Sequence, residues 1–138
     1  MEQRDYLLRQ IELMAEVLAN LIRRLLGLKE INEEEALQTT DEMLRENLNI
    51  SIAELLNTPL DKTADLILDR EGIHESNIDL FAEVLFINAK ASNDPVRKRK
   101  LYERALELYN WLDRKTGTFS IERHQKMNEI KILVDGLS

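Results

Sequence analysis

Apolar residues early in the chain recur at alternating steps of four and three: Leu7, Ile11, Met14, Leu18, Leu21, Leu25 and Leu28. That spacing keeps one seam of an α-helix apolar over three heptads. Leu8, Ala15, Ala19, Ile22 and Leu26 lie beside the seam, and Leu13 and Val17 widen it on the other side. What stays polar is a narrow stripe of Arg9, Glu12, Glu16, Asn20 and Arg23. A helix that packs by one face needs a smaller apolar arc than this. The pattern therefore predicts a long helix over residues 4–28 that touches more than one partner. One face is expected to pack on the body of the chain. The other, carrying Leu7, Ile11, Met14, Leu18, Leu21 and Leu25, is expected to meet its symmetry mate in a homodimer, since an isologous contact suits a long self-complementary helix. The rival expectation is that the helices from Asn32 to Leu68 cover both faces within one chain.

Residues 32–138 read as a helical body. Asn32 is a good N-cap, and Glu33, Glu34 and Glu35 suit the positive end of a helix that runs to about Asn49. Its inward side is expected to carry Ala36, Leu37, Met43, Leu44 and Leu48. Ser51-Ile-Ala-Glu54 has the form of a capping box and opens a short helix to Leu56. Thr58-Pro59 opens another, with Pro at its first position, Leu60, Ala64, Ile67 and Leu68 inward and Gly72 as its stop. Ser76-Asn-Ile-Asp79 caps the next helix. Leu80, Phe81, Val84, Leu85 and Ile87 make that helix apolar nearly all round, so Leu80–Ala91 is expected to be central and buried. Asp94-Pro95 starts a long helix reaching Lys115 and ended by Gly117. Ser120 caps the last, with Ile121, Met127, Ile130, Leu133 and Val134 inward. The predicted fold is all-α, about six helices in antiparallel hairpins, with the turn at Ser51–Leu56 not counted among them. No linker divides the 138 residues, which read as a single domain.

Composition narrows the function. With 43% hydrophobic and 33% charged residues the chain is neither disordered nor a membrane protein. The polar stripe interrupts the first helix often enough that no run approaches the ~18 apolar residues of a span. A net charge of −7 repels polyanions and argues against nucleic acid as the main ligand. Cysteine is absent, which removes thiol catalysis, disulfides and thiolate metal sites and fits a reducing cytosol. The opening Met1-Glu-Gln-Arg-Asp5 lacks the basic segment and cleavage site of a signal peptide, so a cytoplasmic setting is expected.

Candidate chemistry is sparse. Glu71-Gly-Ile-His74 has the Glu-x-x-His spacing of helical metal proteins, but Gly72 breaks the helix that would align the two side chains. His124 has Ile121 at the matching position. Both histidines read as surface or capping residues. Ser51, Ser76 and Ser120 stand where N-caps belong, Ser92 falls at a helix end and Ser138 is terminal, so no nucleophile sits beside a base. No cofactor, metal or catalytic site is expected. Arg97-Lys-Arg-Lys100 is the one charge feature out of place, because cations in a first helical turn oppose the dipole and repel one another. Its plain reading is a solvated face pairing with acidic neighbours. Its functional reading is a patch of Arg97, Lys98, Arg99 and Lys100, with Trp111, that docks an acidic partner or holds an anion.

Two stretches carry a resemblance. Phe81-Ala82 followed by Leu85, and Ala105, Tyr109 and Leu112 within and after Tyr102-Glu-Arg-Ala-Leu-Glu-Leu-Tyr109, resemble the two helices of a tetratricopeptide repeat. There, small residues let antiparallel helices approach closely. Ala82 and Ala105 lie 23 positions apart, against about a dozen in the repeat. The resemblance thus implies a tetratricopeptide-like hairpin in the C-terminal half and no peptide-binding superhelix. The stretches Tyr6–Ile11, Leu80–Leu85, Leu101–Leu106 and Thr118–His124 also resemble a family of short all-helical bacterial proteins of uncharacterised function. That resemblance implies a bacterial cytosolic setting and brings no activity. Three functions remain open: a non-enzymatic protein–protein interaction or scaffold module; a small-molecule-binding protein or enzyme with a pocket between helices; and weak regulatory nucleic-acid binding through Arg97–Lys100, which would show a steeply salt-dependent affinity. A buried carboxylate of raised pKa beside His74 or His124 in a cleft would favour the second.

Overall fold

A computed structural model describes residues 2–28, 32–70 and 72–137. Glu71 and Ser138, together with the exit from the first helix at Lys29–Ile31, lie outside the described residues. The described chain is all-α. Its helices are α1 (Glu2–Leu26), α2 (Glu33–Leu48), α3 (Ile52–Asn57), α4 (Thr63–Leu68), α5 (Ile78–Ala91), α6 (Pro95–Thr116) and α7 (Ile121–Asp135). Two 3₁₀ turns, Leu60–Lys62 and Glu75–Asn77, precede α4 and α5. Among the described residues no helix is long and apolar enough to cross a membrane.

The near-continuous apolar sequence of α5 dictates the architecture. A helix without a polar face must be covered on all sides, and α5 packs against α1, α2 and α6. Only Asp79, Leu80, Glu83 and Lys90 escape full burial after Ile78. The densest packing is with α6, across a connection of just three residues, Ser92–Asp94. A link that short forces the two helices antiparallel. Side-chain pairs confirm the register: Lys98 reaches the Lys90 carbonyl at 3.3 Å, and the Phe86 and Tyr102 rings meet at 5.9 Å between centroids. That register puts Ala82 and Ala105 at one level of the hairpin, and both are fully buried.

α1 supplies the opposite wall. Met14, Leu18, Leu21 and Leu25 are buried within the chain. The seam expected to pair two copies is therefore an intramolecular seam at these four positions, because α5 and α2 require an apolar cover there. Ile11 is half-buried, with its carbonyl accepting from Asn77 Nδ2 at 3.3 Å, while Leu7 stays exposed.

Local signals explain most helix ends. The side chains of Asn32, Ser51, Asp94 and Ser120 each accept a hydrogen bond from a backbone N–H of the helix they cap. α2 ends on Asn49 and α6 on Gly117, each at a left-handed φ. Two readings need correction. Pro59 does not begin an α-helix: its ψ of 141° is extended, a 3₁₀ turn follows, and Leu60 is exposed rather than inward. Ser76 is not the cap before α5. His74 caps the 3₁₀ turn that leads into α5, its Nδ1 accepting from the Ser76 N–H while Asn77 Oδ1 accepts from the His74 N–H, and Asn77 stands at the N-cap of α5 itself.

Candidate functional site

The basic run at the start of α6 is used inside the chain. Arg97 forms an ion pair with Glu33 of α2. Burial opposes the Glu33 charge, but the Ser92 hydroxyl, the Asn93 backbone N–H and Arg97 outweigh it and hold that carboxyl below the usual range. Lys98 donates to the carbonyls of Lys90 and Ser92, both at 3.3 Å, where the C-terminus of α5 gathers negative potential. Arg99 is half-buried and Lys100 exposed. Arg97 and Lys100 line a shallow cleft with Asp41 and Asp94, so acids answer the cations there. Trp111 packs against the core from its half-buried position. It lies fourteen residues beyond Arg97 on the same helix, roughly 20 Å away along the axis. The structure does not bring the basic run and Trp111 into one patch.

A second arrangement, unmarked in the pattern, lies where α5, α6 and α7 converge. Asp113 near the end of α6 accepts from Arg123 Nε on one oxygen at 2.7 Å and pairs with His124 Nε2 on the other at 2.9 Å. Arg123 also donates to the Thr118 carbonyl at 2.8 Å and stands 4.0 Å from Asp79. The His124 ring lies against exposed Phe119, with centroids 4.5 Å apart. Beside this knot a cleft of about 290 Å³ is lined by Asp79, Leu80 and Glu83 from α5, Tyr109 from α6, and Ser120, Glu122, Arg123 and Lys126. Burial raises the Asp79 carboxyl above its ordinary value; Arg123 opposes that, and Asp113 and Glu122 add to it. Burial, with Glu83 and Asp79, also pushes the Tyr109 phenol well up. The Asp79 side chain is nevertheless 56% exposed and His124 does not line the cleft, so this is not the buried carboxylate beside a histidine expected of a pocket of the second functional class.

The sequence carried a signal for this site that periodicity alone does not read. Met127 and Ile130 are the buried positions of α7, and Arg123 falls on the same stripe one turn earlier. A charged residue at an apolar register position needs a buried partner, which Asp113 supplies. Ile121, expected inward, is exposed for the same reason: the inward slot of the first turn belongs to Arg123. Arg104 repeats the lesson on α6. It sits between Leu101 and Leu108, 8% exposed, and its guanidinium donates to the carbonyls of Leu55, Leu56 and Thr58 at 3.1–3.3 Å. These carbonyls lie in the last turn and C-cap of α3, where the helix's own donors run out. No family model matches the chain, and neither a similar curated protein nor a similar solved structure was found.

Proposed function

We propose that the protein is a non-enzymatic interaction module that self-associates through the N-terminal half of α1. One observation carries this reading. Gln3 to Arg9 are all exposed, and Tyr6, Leu7, Leu8 and, a turn later, Leu13 each leave about half of their surface in water. Exposed apolar side chains gathered on one helical end are the usual mark of an association surface. The charges of α1 support a second copy as the partner. Four acids, Glu2, Asp5, Glu12 and Glu16, balance four arginines, Arg4, Arg9, Arg23 and Arg24, in a chain of net −7. From Arg4 to Arg24 no charged side chain of α1 has an ion-pair partner among the described residues. Two copies therefore meet through helices of zero net charge, with both signs of charge free to pair.

The α5–α6 hairpin, with Ala82 and Ala105 at one level, supports a tetratricopeptide-like scaffold behind this surface. A cysteine-free chain fits a reducing cytosol, which is where we place it. Light scattering after size exclusion, across a range of concentrations, tests the association. The wild type is expected to reach the mass of two chains. The double variant Leu7→Asp/Leu8→Asp is expected to stay at one, with unchanged helical circular dichroism. A wild type at single-chain mass throughout would overturn the reading.

A further inference from the structure

Beside its buried seam, α1 carries a second stripe that the fold leaves partly open. Asp5, Leu8, Glu12, Ala15, Ala19, Ile22 and Leu26 follow one another at alternating steps of three and four. That is the heptad spacing of a helix that pairs with another helix. Leu8 and Leu26 stand 50% and 61% exposed near its two ends, and Ala15, Ala19 and Ile22 between them are half-buried. The stripe is symmetric about Val17: Leu8 and Leu26 lie nine residues to either side of it, and Ala15 and Ala19 two. The two leucines are roughly 27 Å apart on one helix and cannot touch each other. Reversing the direction of a second copy brings them together.

The charges follow the same symmetry. Glu12 and Arg23 are exposed on or beside the stripe, five residues before and six after Val17. Neither has an ion pair among the described residues, and Arg23 donates to the Asn20 side-chain oxygen of its own helix. A parallel pair of helices would set each Glu12 against its own mate, and each Arg23 likewise. An antiparallel pair sets Glu12 beside the partner's Arg23, and does so twice. We propose that two copies pair antiparallel along this stripe, the Leu8 end of one α1 seated on the Leu26 end of the other. This rests on the self-association proposed above and names the surface that the N-terminal end meets. Leu26 shares a hollow of about 410 Å³ with Phe86, Ile87 and Ala91 of α5, so the partner's Leu8 lands among apolar walls. Ala15 meets the partner's Ala19 at the crossing, where small side chains let the helix axes come close. Glu16 lies further round the helix and approaches its own mate in water, where salt screens the repulsion.

Dissociation constants from sedimentation equilibrium test this, with helical circular dichroism checking that each variant stays folded. Leu26→Asp changes a position that is 61% exposed and outside the core. It is expected to weaken the dimer about tenfold or more, as much as Leu8→Asp does, because the two residues face each other. Glu12→Arg and Arg23→Glu are each expected to weaken it about fivefold, since each turns attraction into repulsion at two symmetric places. The double variant Glu12→Arg/Arg23→Glu restores opposite charges across the contact and is expected to recover the wild-type affinity. A dimer that Leu26→Asp leaves unchanged overturns the antiparallel pairing while the N-terminal contact stands. So does a double variant as weak as the single ones. A wild type at single-chain mass overturns both readings.

Discussion

Arg104 shows how much one buried side chain organises. Its guanidinium satisfies three carbonyls at the end of α3 and a fourth, Lys100, on its own helix at 3.4 Å. Without it the Leu56 and Thr58 carbonyls lose these part-buried bonds and the buried stem of Arg104 is left without its polar end satisfied. Arg104→Met is expected to cost about 3 kcal/mol in urea unfolding, and Arg104→Lys to recover less than half of that, because an ammonium cannot present a planar fork. The buried phenols set a limit on the alkaline side. Burial raises the Tyr102 hydroxyl above its ordinary 10.0, with Glu129 adding to it, and raises Tyr109 further. Groups whose folded pKa exceeds the unfolded value contribute fully below pH ~10 and lose that contribution as pH rises through the folded values. Helical circular dichroism should therefore collapse in step with tyrosinate absorbance above pH ~10. Tyr109→Phe should carry the collapse to higher pH, and a variant collapsing at the wild-type pH would show that the phenol is not what fails.

α1 separates what a pattern specifies from what it leaves open. Its buried seam was legible from Met14 to Leu25, though not at Leu7, which is exposed, and the all-round apolar α5 and the ends of α6 at Asp94-Pro95 and Gly117 were legible too, because each rests on local spacing or a local cap. The owner of each face was not legible, since a period of 3.6 says that Leu18 and Leu21 are buried without saying by what. The candidate cleft stayed hidden for a related reason: Asp79, Tyr109 and Glu122 lie on three helices, and only the packing of α5, α6 and α7 brings them together. The two seams of α1 can now be told apart by mutation. Leu18 is 1% exposed, so Leu18→Asp buries an unpaired carboxylate and is expected to cost about 4 kcal/mol or more, close to unfolding the chain. Leu8→Asp stands half in water and is expected to change stability by no more than about 0.5 kcal/mol while weakening self-association. Urea midpoints and solution masses of the two variants give both answers. A Leu18→Asp chain that stays folded and merely loses mass would return that seam to the interface.

Across the whole molecule, charge decides how copies meet. With α1 neutral by sequence, the net −7 belongs to the remainder of the chain, so two bodies brought together by their first helices still repel over their outer surfaces. Salt shortens the reach of that repulsion, from about 10 Å at 0.1 M to about 3 Å at 1 M, and leaves apolar burial in place. Self-association through Tyr6, Leu7 and Leu8 is therefore expected to tighten severalfold between those salt concentrations, as read by sedimentation equilibrium. Paired charges on α1 would push the other way, because exposed ion pairs are screened by the same salt. A steep weakening would move the contact from the apolar end of α1 to its arginines and acids. The direction of the salt effect thus identifies which of the two features of this helix holds the copies together.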